Sequence, residues 1–283
     1  MWWPLVGLGG SGPAIDTSGF VFTLEARDVE ELNKMVAGKE RNGYEVTAIS
    51  CATYPVVADR YVITRSGGSF GEGYGPRVVV RAEHADGGVN ALRSKRIAVP
   101  GVNTTAYLVL RLMLGADSFE AVEMLFSDIP GAVMRGEVDA GLLIHEAQLT
   151  HESLGLTEVA NLGVWWATQT ELPLPLGLNV VRRDLDARFG PGTVKVLDGV
   201  LTASVEHAVS HPIQSREHLR ANRGDRAEWD DATLVDRYLA MYVSALTQDM
   251  GERGRRAIAE LLGRGAQADL CRAVGQIDLA SDH

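Results

Sequence analysis

About the first 190 residues alternate short apolar strand patterns with amphipathic helix patterns, and no other feature constrains the fold as strongly. Such alternation is typical of parallel sheets that are covered by helices. The rest of the chain carries helix patterns only, so we expect an α/β fold with a helical C-terminal part. Strands are predicted over 20–24, 44–50, 61–64, 77–81, 96–99, 121–126, 138–144 and 176–181. Helices are predicted after Asp28 and Thr104, and over 129–136, 193–211, 213–221, 232–250 and 252–262.

Two segments rich in glycine or proline interrupt this pattern. Residues 66–76 hold five glycines in eleven positions, and residues 172–176 read Leu-Pro-Leu-Pro-Leu. Glycine and proline disfavour regular elements, so we interpret both segments as crossings between two lobes. The predicted outer lobe comprises residues 1–77 and 174–283, and the inner lobe, residues 78–173, is inserted into it. This is the discontinuous layout of type II periplasmic-binding-protein-like folds, in which the ligand lies in a cleft between the lobes.

The charge balance argues against several classes of partner. Lys and Arg total 27 and Asp and Glu total 37, so the formal net charge is −10. Binders of nucleic acid or of anionic membranes depend on basic patches, and we expect neither class here. No apolar run reaches the roughly 18–20 residues that a membrane span needs. The two cysteines, Cys51 and Cys271, form no CxxC pair, which favours a reduced, cytoplasmic setting.

Residues 99–107 run from a predicted strand end through a turn into a helix N-terminus. Free amides and the positive end of the helix dipole point outward at such a place, and Thr104 and Thr105 add hydroxyl donors. The segment therefore suits a small carboxylate ligand. Threonine is also a common N-cap, so an ordinary helix cap explains the same residues without a ligand.

His145 follows the apolar run 140–144, at the predicted tip of a strand. Ligands meet the sheet at strand tips in α/β proteins, and a histidine side chain is suited to act as a general base near neutral pH. A buried histidine that donates to a neighbouring carbonyl is the structural alternative.

Two other motifs carry weaker signals. Residues 7–12 match the G-x-G-x-x-G pattern, but Pro13 follows directly and no helix pattern begins, which favours a surface turn over a nucleotide site. His207 and His211 are four residues apart but lack the glutamate of a zinc protease motif, so we interpret them as helix-face residues. No cluster of histidine, cysteine and acidic residues has metal-ligand spacing, and no metal site is expected.

Seven segments, in their order and spacing, resemble those of one enzyme family. They are Val46–Ser50, Ala58–Tyr61, Gly71–Pro76, Ala98–Gly101 with Thr104–Tyr107, Gly136–Glu146, Leu162–Trp166 and Leu172–Gly177. The family is the 1,4-dihydroxy-6-naphthoate synthases of the futalosine route to menaquinone, and the likeness covers roughly residues 28–262. The Ile-His-Glu sequence at 144–146 and the Leu-Pro-Leu-Pro-Leu-Gly sequence at 172–177 are its most specific parts.

The resemblance implies a two-lobed periplasmic-binding-protein-like fold that is used for catalysis in the cytoplasm. The implied substrate is cyclic dehypoxanthinyl futalosine, which carries an aromatic carboxylate and a sugar-derived ring, and neither a metal nor an organic cofactor is implied. His145 falls on the family's proposed general base. The family's substrate-binding residues fall on two segments, which are Ala48, Ile49 and Ser50, and Thr104, Thr105 and Ala106.

One departure from the family concerns the N-terminus. Family members open with a strand that ends in a Ser-Pro-rich, Asp-containing loop, and residues 1–6 resemble the segment that follows this loop. We therefore expect that the first strand of the fold is missing and that the true start lies upstream of Met1.

Two alternative functions stay open. One is a non-catalytic receptor for a small carboxylate that uses the same cleft. The other is chorismate dehydratase, which shares the fold and the pathway, although the Ile-His-Glu sequence favours the naphthoate synthase.

Overall fold

The computed structural model describes residues 1–38, 43–224 and 227–283. The strands within these residues form two sheets. They are β1 (Val46–Ser50), β2 (Tyr61–Ile63), β3 (Ser69–Gly71), β4 (Arg77–Arg81), β5 (Arg96–Val99), β6 (Glu120–Glu123), β7 (Ala140–Leu143), β8 (Leu156–Asn161) and β9 (Leu174–Arg182). We call outer lobe the part built on the sheet of β1, β2, β3 and β9, and inner lobe the part built on the sheet of β4 to β8.

Helices cover both sheets and make up most of the C-terminal third. They are α1 (Val29–Ala37), α2 (Tyr54–Val57), α3 (Thr105–Leu114), α4 (Ile129–Met134), α5 (Ala147–Thr150), α6 (Leu162–Thr170), α7 (Leu185–Phe189), α8 (Thr193–Ser210), α9 (Pro212–Ala221), α10 (Ala232–Tyr242), α11 (Ala245–Gln248) and α12 (Gly251–Gln267). None of the helices in the described ranges is long and apolar enough to span a membrane.

The two sheets differ in strand direction. In the outer lobe, β9 pairs antiparallel with β1, β2 and β3. In the inner lobe the order is β6-β5-β7-β4-β8, where β5 runs parallel to β6 and β7 while β4 runs antiparallel to β7 and β8. The predicted parallel pairing is therefore correct for β5, β6 and β7 and wrong for the other described pairs. The chain crosses from the outer to the inner sheet between β3 and β4 and returns between β8 and β9, and we propose 77/78 and 173/174 as the lobe boundaries.

Alternating side chains divide each sheet between two apolar layers. On β9, Val180 faces the main core and Val181 faces a second cluster beneath α8. On β4, Val78 and Val80 face the main core, whereas Val79 faces a third cluster beneath α4. The main core continues from one lobe into the other, because the same cluster holds residues of β1 and β9 and residues of β5 and β7.

Three predicted elements differ from the structure. Residues 20–24 form no strand and pair with no described strand. Val21 among them is 96% exposed. The glycine-rich loop contains the short strand β3, and the helix expected over 232–250 is broken after Tyr242, where Val243 is extended. Strand β8 and helix α6 were not predicted, since their apolar residues lie next to the crossing and show no clear period.

The weaker motifs lie where the sequence suggested. The four glycines at 7, 9, 10 and 12 have positive φ. Their turn neither follows a strand nor opens an α-helix, as a dinucleotide-binding turn would. His207 lies in the last turn of α8 and His211 just beyond it, and their rings stack at 3.9 Å.

Candidate active site

Three parallel strands of the inner lobe end at one edge of their sheet. β5, β6 and β7 run in the same direction, so the segments that follow them lie at the same edge. The segment after β5 holds residues 99–107, and the segment after β7 holds His145. The parallel pairing therefore brings two of the predicted site segments together.

His145 lies two residues beyond β7, in a left-handed backbone conformation with φ of 54°. Its ring contacts that of Phe126 edge-on, with 4.8 Å between the centroids, and the ring of Tyr242 lies 6.5 Å away. A left-handed conformation costs a histidine free energy, so surrounding contacts have to hold it. Phe126 follows β6 and Tyr242 ends α10, so two distant parts of the chain enclose the imidazole.

The main chain of His145 is held by a buried glutamine. Gln148, in α5, is 2% exposed and satisfies three groups when its amide oxygen faces Tyr242 and its nitrogen faces Gly75. The oxygen then accepts from the Tyr242 hydroxyl at 2.9 Å and from the His145 N–H at 3.2 Å, and the nitrogen donates to the Gly75 carbonyl at 2.6 Å. Because Gly75 belongs to the crossing between lobes, Gln148 ties the His145 segment to that crossing.

Tyr242 contributes from the other side. The His145 N–H is shared between the Gln148 oxygen and the Tyr242 hydroxyl oxygen, and burial raises the pKa of Tyr242 well above its ordinary value. The hydroxyl therefore keeps its proton at neutral pH and donates it to Gln148. Tyr238 packs on the Tyr242 ring at 4.7 Å, which fixes the ring from behind.

Ser50 ends β1 in the outer lobe and is bonded to Asn33 of α1. Its N–H donates to Asn33 Oδ1 at 2.8 Å, and its hydroxyl oxygen accepts from Asn33 Nδ2 at 3.0 Å. No described residue accepts the hydroxyl proton of Ser50, so this proton is available to a ligand. The other two residues of this predicted binding segment differ in exposure. Ile49 is fully buried in the core, while Ala48 is exposed on the strand.

Thr104 and Thr105 use their hydroxyl groups inside the protein. Thr104 is the N-cap of α3: its oxygen accepts from the Tyr107 N–H at 3.2 Å, and its proton goes to the Gly101 carbonyl at 2.7 Å. Thr105 donates to the Leu176 carbonyl at 2.8 Å. In this structure both hydroxyl protons are donated to main-chain carbonyls, those of Gly101 and Leu176.

The donors that remain at this helix terminus are main-chain amides. The N–H groups of Thr105 and Ala106 meet no acceptor among the described residues, as expected for the first turn of a helix. These two amides and the positive end of the helix dipole are the groups that this terminus offers to an anion.

The structure brings the two predicted binding segments together at the junction of the lobes. Thr105 Oγ1 accepts from the Ala52 N–H at 3.2 Å, two residues after Ser50. Thr105 also donates to Leu176, whose neighbour Gly177 pairs with Ser50 in the outer sheet. The end of β1 and the start of α3 therefore meet at the junction of the lobes.

Sequence reasoning missed four polar residues of this region, namely Glu30, Asn33, Gln148 and Tyr242. Glu30 and Asn33 lie on the inward face of α1, next to the apolar Leu32 and Val36, and polar side chains on such a face were the available signal. Among the described residues, no three histidine, cysteine or acidic side chains converge in a way that would hold a metal ion.

Comparisons with known proteins identify relatives over most of the chain. A family model for menaquinone biosynthesis matches residues 1–267. The 1,4-dihydroxy-6-naphthoate synthase of Thermus thermophilus is 41% identical over 234 residues, which cover 83% of this chain and 79% of that protein. The enzyme of the same name from Streptomyces coelicolor is 38% identical over 258 residues, which cover 89% of this chain and 86% of that protein.

Solved structures show the same fold. The crystal structure of an Archaeoglobus fulgidus protein is 40% identical, with a TM-score of 0.73 over 86% of this chain and 85% of that one. The alkanesulfonate-binding protein of Xanthomonas axonopodis pv. citri, bound to MOPS, is only 16% identical but has a TM-score of 0.62 over 87% of this chain and 82% of its own. The fold is therefore the two-lobed, periplasmic-binding-protein-like fold that the sequence predicted.

Proposed function

The chain belongs to the menaquinone biosynthesis family, and from this premise we propose that it is a carbon–carbon lyase. Its proposed reaction converts cyclic dehypoxanthinyl futalosine to 1,4-dihydroxy-6-naphthoate. The names of the Thermus and Streptomyces relatives support this product. The proposed compartment is the cytoplasm, because Cys51 and Cys271 are both free thiols.

The proposed catalytic step uses His145 as a general base. Its imidazole accepts the proton of a hydroxyl group on the sugar-derived ring, and the resulting alkoxide collapses to a carbonyl. The adjacent carbon–carbon bond breaks and releases the fragment that carries the new carbonyl as a second product. The electron pair of that bond passes into the bicyclic system, which becomes aromatic as it takes up a proton. Because no electrons are gained or lost overall, His145 can return the proton and start a new cycle.

The observation that carries this proposal is the placement of His145. It lies at the carboxyl edge of the parallel strands, its main chain is held by Gln148 and Tyr242, and its ring lies against Phe126. A base that is fixed before the substrate arrives loses little freedom on binding.

The proposed binding groups lie on the two segments that meet at the junction of the lobes. On the outer lobe, Ala48 and Ile49 contribute their backbone and Ser50 its hydroxyl proton. On the inner lobe, Thr104 holds the helix start, and the amides of Thr105 and Ala106 bind the substrate's carboxylate or a ring oxygen. Closure of the lobes over the substrate would exclude water.

The test is the formation of 1,4-dihydroxy-6-naphthoate from cyclic dehypoxanthinyl futalosine by the wild type and by His145→Ala. We expect turnover in the wild type and none in the variant, while both bind the aromatic carboxylate 2-naphthoate with similar affinity. His84→Ala is the matched control, because His84 is exposed on the inner lobe and lies outside the site.

Each other outcome has a distinct meaning. Turnover by His145→Ala at nearly the wild-type rate would remove His145 as the base. Binding without any product from the folded wild type would favour the receptor function instead.

A further inference from the structure

Helix α1 carries a buried acid that the proposed reaction does not use. Glu30 is 4% exposed, and its Oε1 accepts from the Asn103 N–H at 3.3 Å and from Asn103 Nδ2 at 2.7 Å. Its Oε2 accepts from Asn33 Nδ2 at 3.1 Å. Burying a carboxylate is costly unless hydrogen bonds compensate, so a fully bonded glutamate at this place indicates a specific structural demand.

The two residues that bond to Glu30, Asn33 and Asn103, contact or adjoin the two segments of the candidate site, which are the end of β1 and the start of α3. Asn33 makes two hydrogen bonds to Ser50, at 2.8 and 3.0 Å. Asn103 directly precedes Thr104 and the start of α3, and its carbonyl accepts from the Thr53 hydroxyl at 3.0 Å. One continuous network therefore runs from Ser50 in the outer lobe, through α1, to the helix terminus in the inner lobe.

The surroundings of Glu30 are shaped to admit it. Gly101 has a φ of 147°, and a Cβ atom at this position would overlap the carboxyl group of Glu30. Lys34, one turn further along α1, lies 3.9 Å from Glu30 and also pairs with Glu123 at the end of β6. The same face of α1 thus contacts the inner lobe at two strand ends.

We propose that Glu30 and Asn33 are positioning residues that set the distance and orientation between Ser50 and the amides of Thr105 and Ala106. This proposal rests on the proposed function in so far as those groups bind the substrate. Neither residue takes part in proton transfer, because the hydrogen bonds of both are made to the protein itself. Loss of the network is therefore expected to weaken substrate binding and to leave the chemical step at His145 nearly unchanged.

The first experiment is steady-state kinetics of Glu30→Gln. The amide keeps the shape of the side chain but places an NH₂ group opposite the donors of Asn103 or Asn33. We expect KM to rise about tenfold or more, with kcat within about threefold of the wild type, as for the loss of hydrogen bonds to a charged group. The matched control is Glu31→Gln on the exposed face of the same helix, for which both constants should stay unchanged.

A double-mutant cycle tests whether Glu30 acts through Asn103. Asn103→Ala removes the Nδ2 donor and leaves the main-chain N–H and carbonyl in place. If the two residues act as one network, Glu30→Gln adds little to the KM increase that Asn103→Ala already causes. Independent, multiplying effects on KM would contradict the proposed route through Asn103.

A residue that only supports folding would give a different pattern. Its loss would lower the melting temperature and the fraction of active enzyme, and hence the apparent kcat, without raising KM. An unchanged KM in Glu30→Gln would therefore overturn the positioning role.

Two further measurements separate this proposal from the proposed function. Absence of product from the wild type would overturn the lyase reaction, and affinity for 2-naphthoate would then replace KM as the measured quantity. Hydrogen exchange at the amides of Ser50 and Asn103 needs no ligand, because both amides donate to this network, and we expect faster exchange in Glu30→Gln. Unchanged exchange at both amides would overturn the positioning role whatever the ligand is.

Discussion

The hydroxyl group of Tyr242 links α10 to the main chain of His145. It accepts from the His145 N–H and donates to Gln148, which is buried. Tyr242→Phe keeps the ring and removes the hydroxyl, so the left-handed backbone at His145 loses one of its restraints. We expect kcat to fall about two- to tenfold, from roughly 0.5–1.5 kcal/mol for one hydrogen bond, while KM stays unchanged.

The matched control for this prediction is Tyr238→Phe. Tyr238 is a tyrosine of the same helix whose ring packs on that of Tyr242, with 4.7 Å between the centroids. A fall in kcat of the same size in both variants would show that α10 acts through packing rather than through the Tyr242 hydroxyl. The kinetics are measured with cyclic dehypoxanthinyl futalosine, and circular dichroism establishes that both variants are folded.

At the residue scale, the sequence identified positions better than it identified roles. The buried run before His145 predicted a strand tip, and the structure has β7 ending two residues before it. Thr104 and Thr105 were recognised as a helix start, but their hydroxyl partners, Gly101 and Leu176, depend on how the chain folds back. Tyr242 is 97 positions away from His145 in the chain, and no local pattern could connect them.

At the element scale, two arginine–aspartate pairs hold the C-terminal segment against the outer sheet. Arg183 pairs with Asp278 at 2.7 Å, and Arg255 of α12 pairs with Asp282 at 2.6 Å. Between them, Leu279 is buried and forms a parallel bridge with Ile63 of β2. The segment thus covers an edge of the outer sheet that would otherwise be open.

The pairing with Arg255 makes this contact dependent on pH. The Arg255 guanidinium lowers the pKa of Asp282 from 3.8 to about 2. A carboxyl group whose pKa is lower in the folded state stabilises the fold above its unfolded pKa, and this contribution is lost as pH falls through the folded pKa. The window therefore lies between about pH 4 and pH 2.

We expect Asp282→Asn to lower the free energy of unfolding at pH 7 by less than about 1 kcal/mol, because the pair is partly exposed. The difference from the wild type should shrink between pH 4 and pH 2. Urea unfolding at pH 7 and at pH 3 measures it, with Asp86→Asn as a control, since the structure shows no ion pair for Asp86 among the described residues. Asp282 Oδ2 also accepts a hydrogen bond from the Leu279 N–H. A stability difference that is as large at pH 3 as at pH 7 would assign the effect to this hydrogen bond.

Elements were predictable where their pattern is local. Asp28 predicted the start of α1, and its carboxylate accepts from the amides of Glu30 and Glu31. The break after Tyr242 was missed, although Thr247 Oγ1 accepts from the Ser244 N–H at 3.1 Å where α11 starts. Strand direction was wrong for most pairs because β9, which organises the outer sheet, lies more than a hundred residues from the strands β1 to β3 with which it pairs.

At the scale of the whole molecule, the main core joins the lobes. Ile49 and Leu178 of the outer sheet belong to the same buried cluster as Ile97 and Leu142 of the inner sheet. Apolar burial is the dominant stabilising contribution, and a core that crosses the junction makes the stability of each lobe depend on the other. The network through Glu30 adds polar contacts at the same junction, so the site segments are held by both kinds of interaction.

This shared core predicts that the protein unfolds in one transition. Ile129 is fully buried beneath the inner sheet, away from the junction, and Ile129→Ala should cost about 2–5 kcal/mol. If the lobes are coupled, the urea midpoint falls equally when it is followed by far-UV circular dichroism, which reports on both lobes, and by hydrogen exchange of β9 in the outer lobe. Leu201→Ala, beneath the outer sheet, is the reciprocal variant and should shift the exchange of β7. Destabilisation confined to the substituted lobe would mean that the lobes unfold separately, and that the contacts across the junction, including those of Glu30, are too weak to keep Ser50 and α3 in a fixed relation.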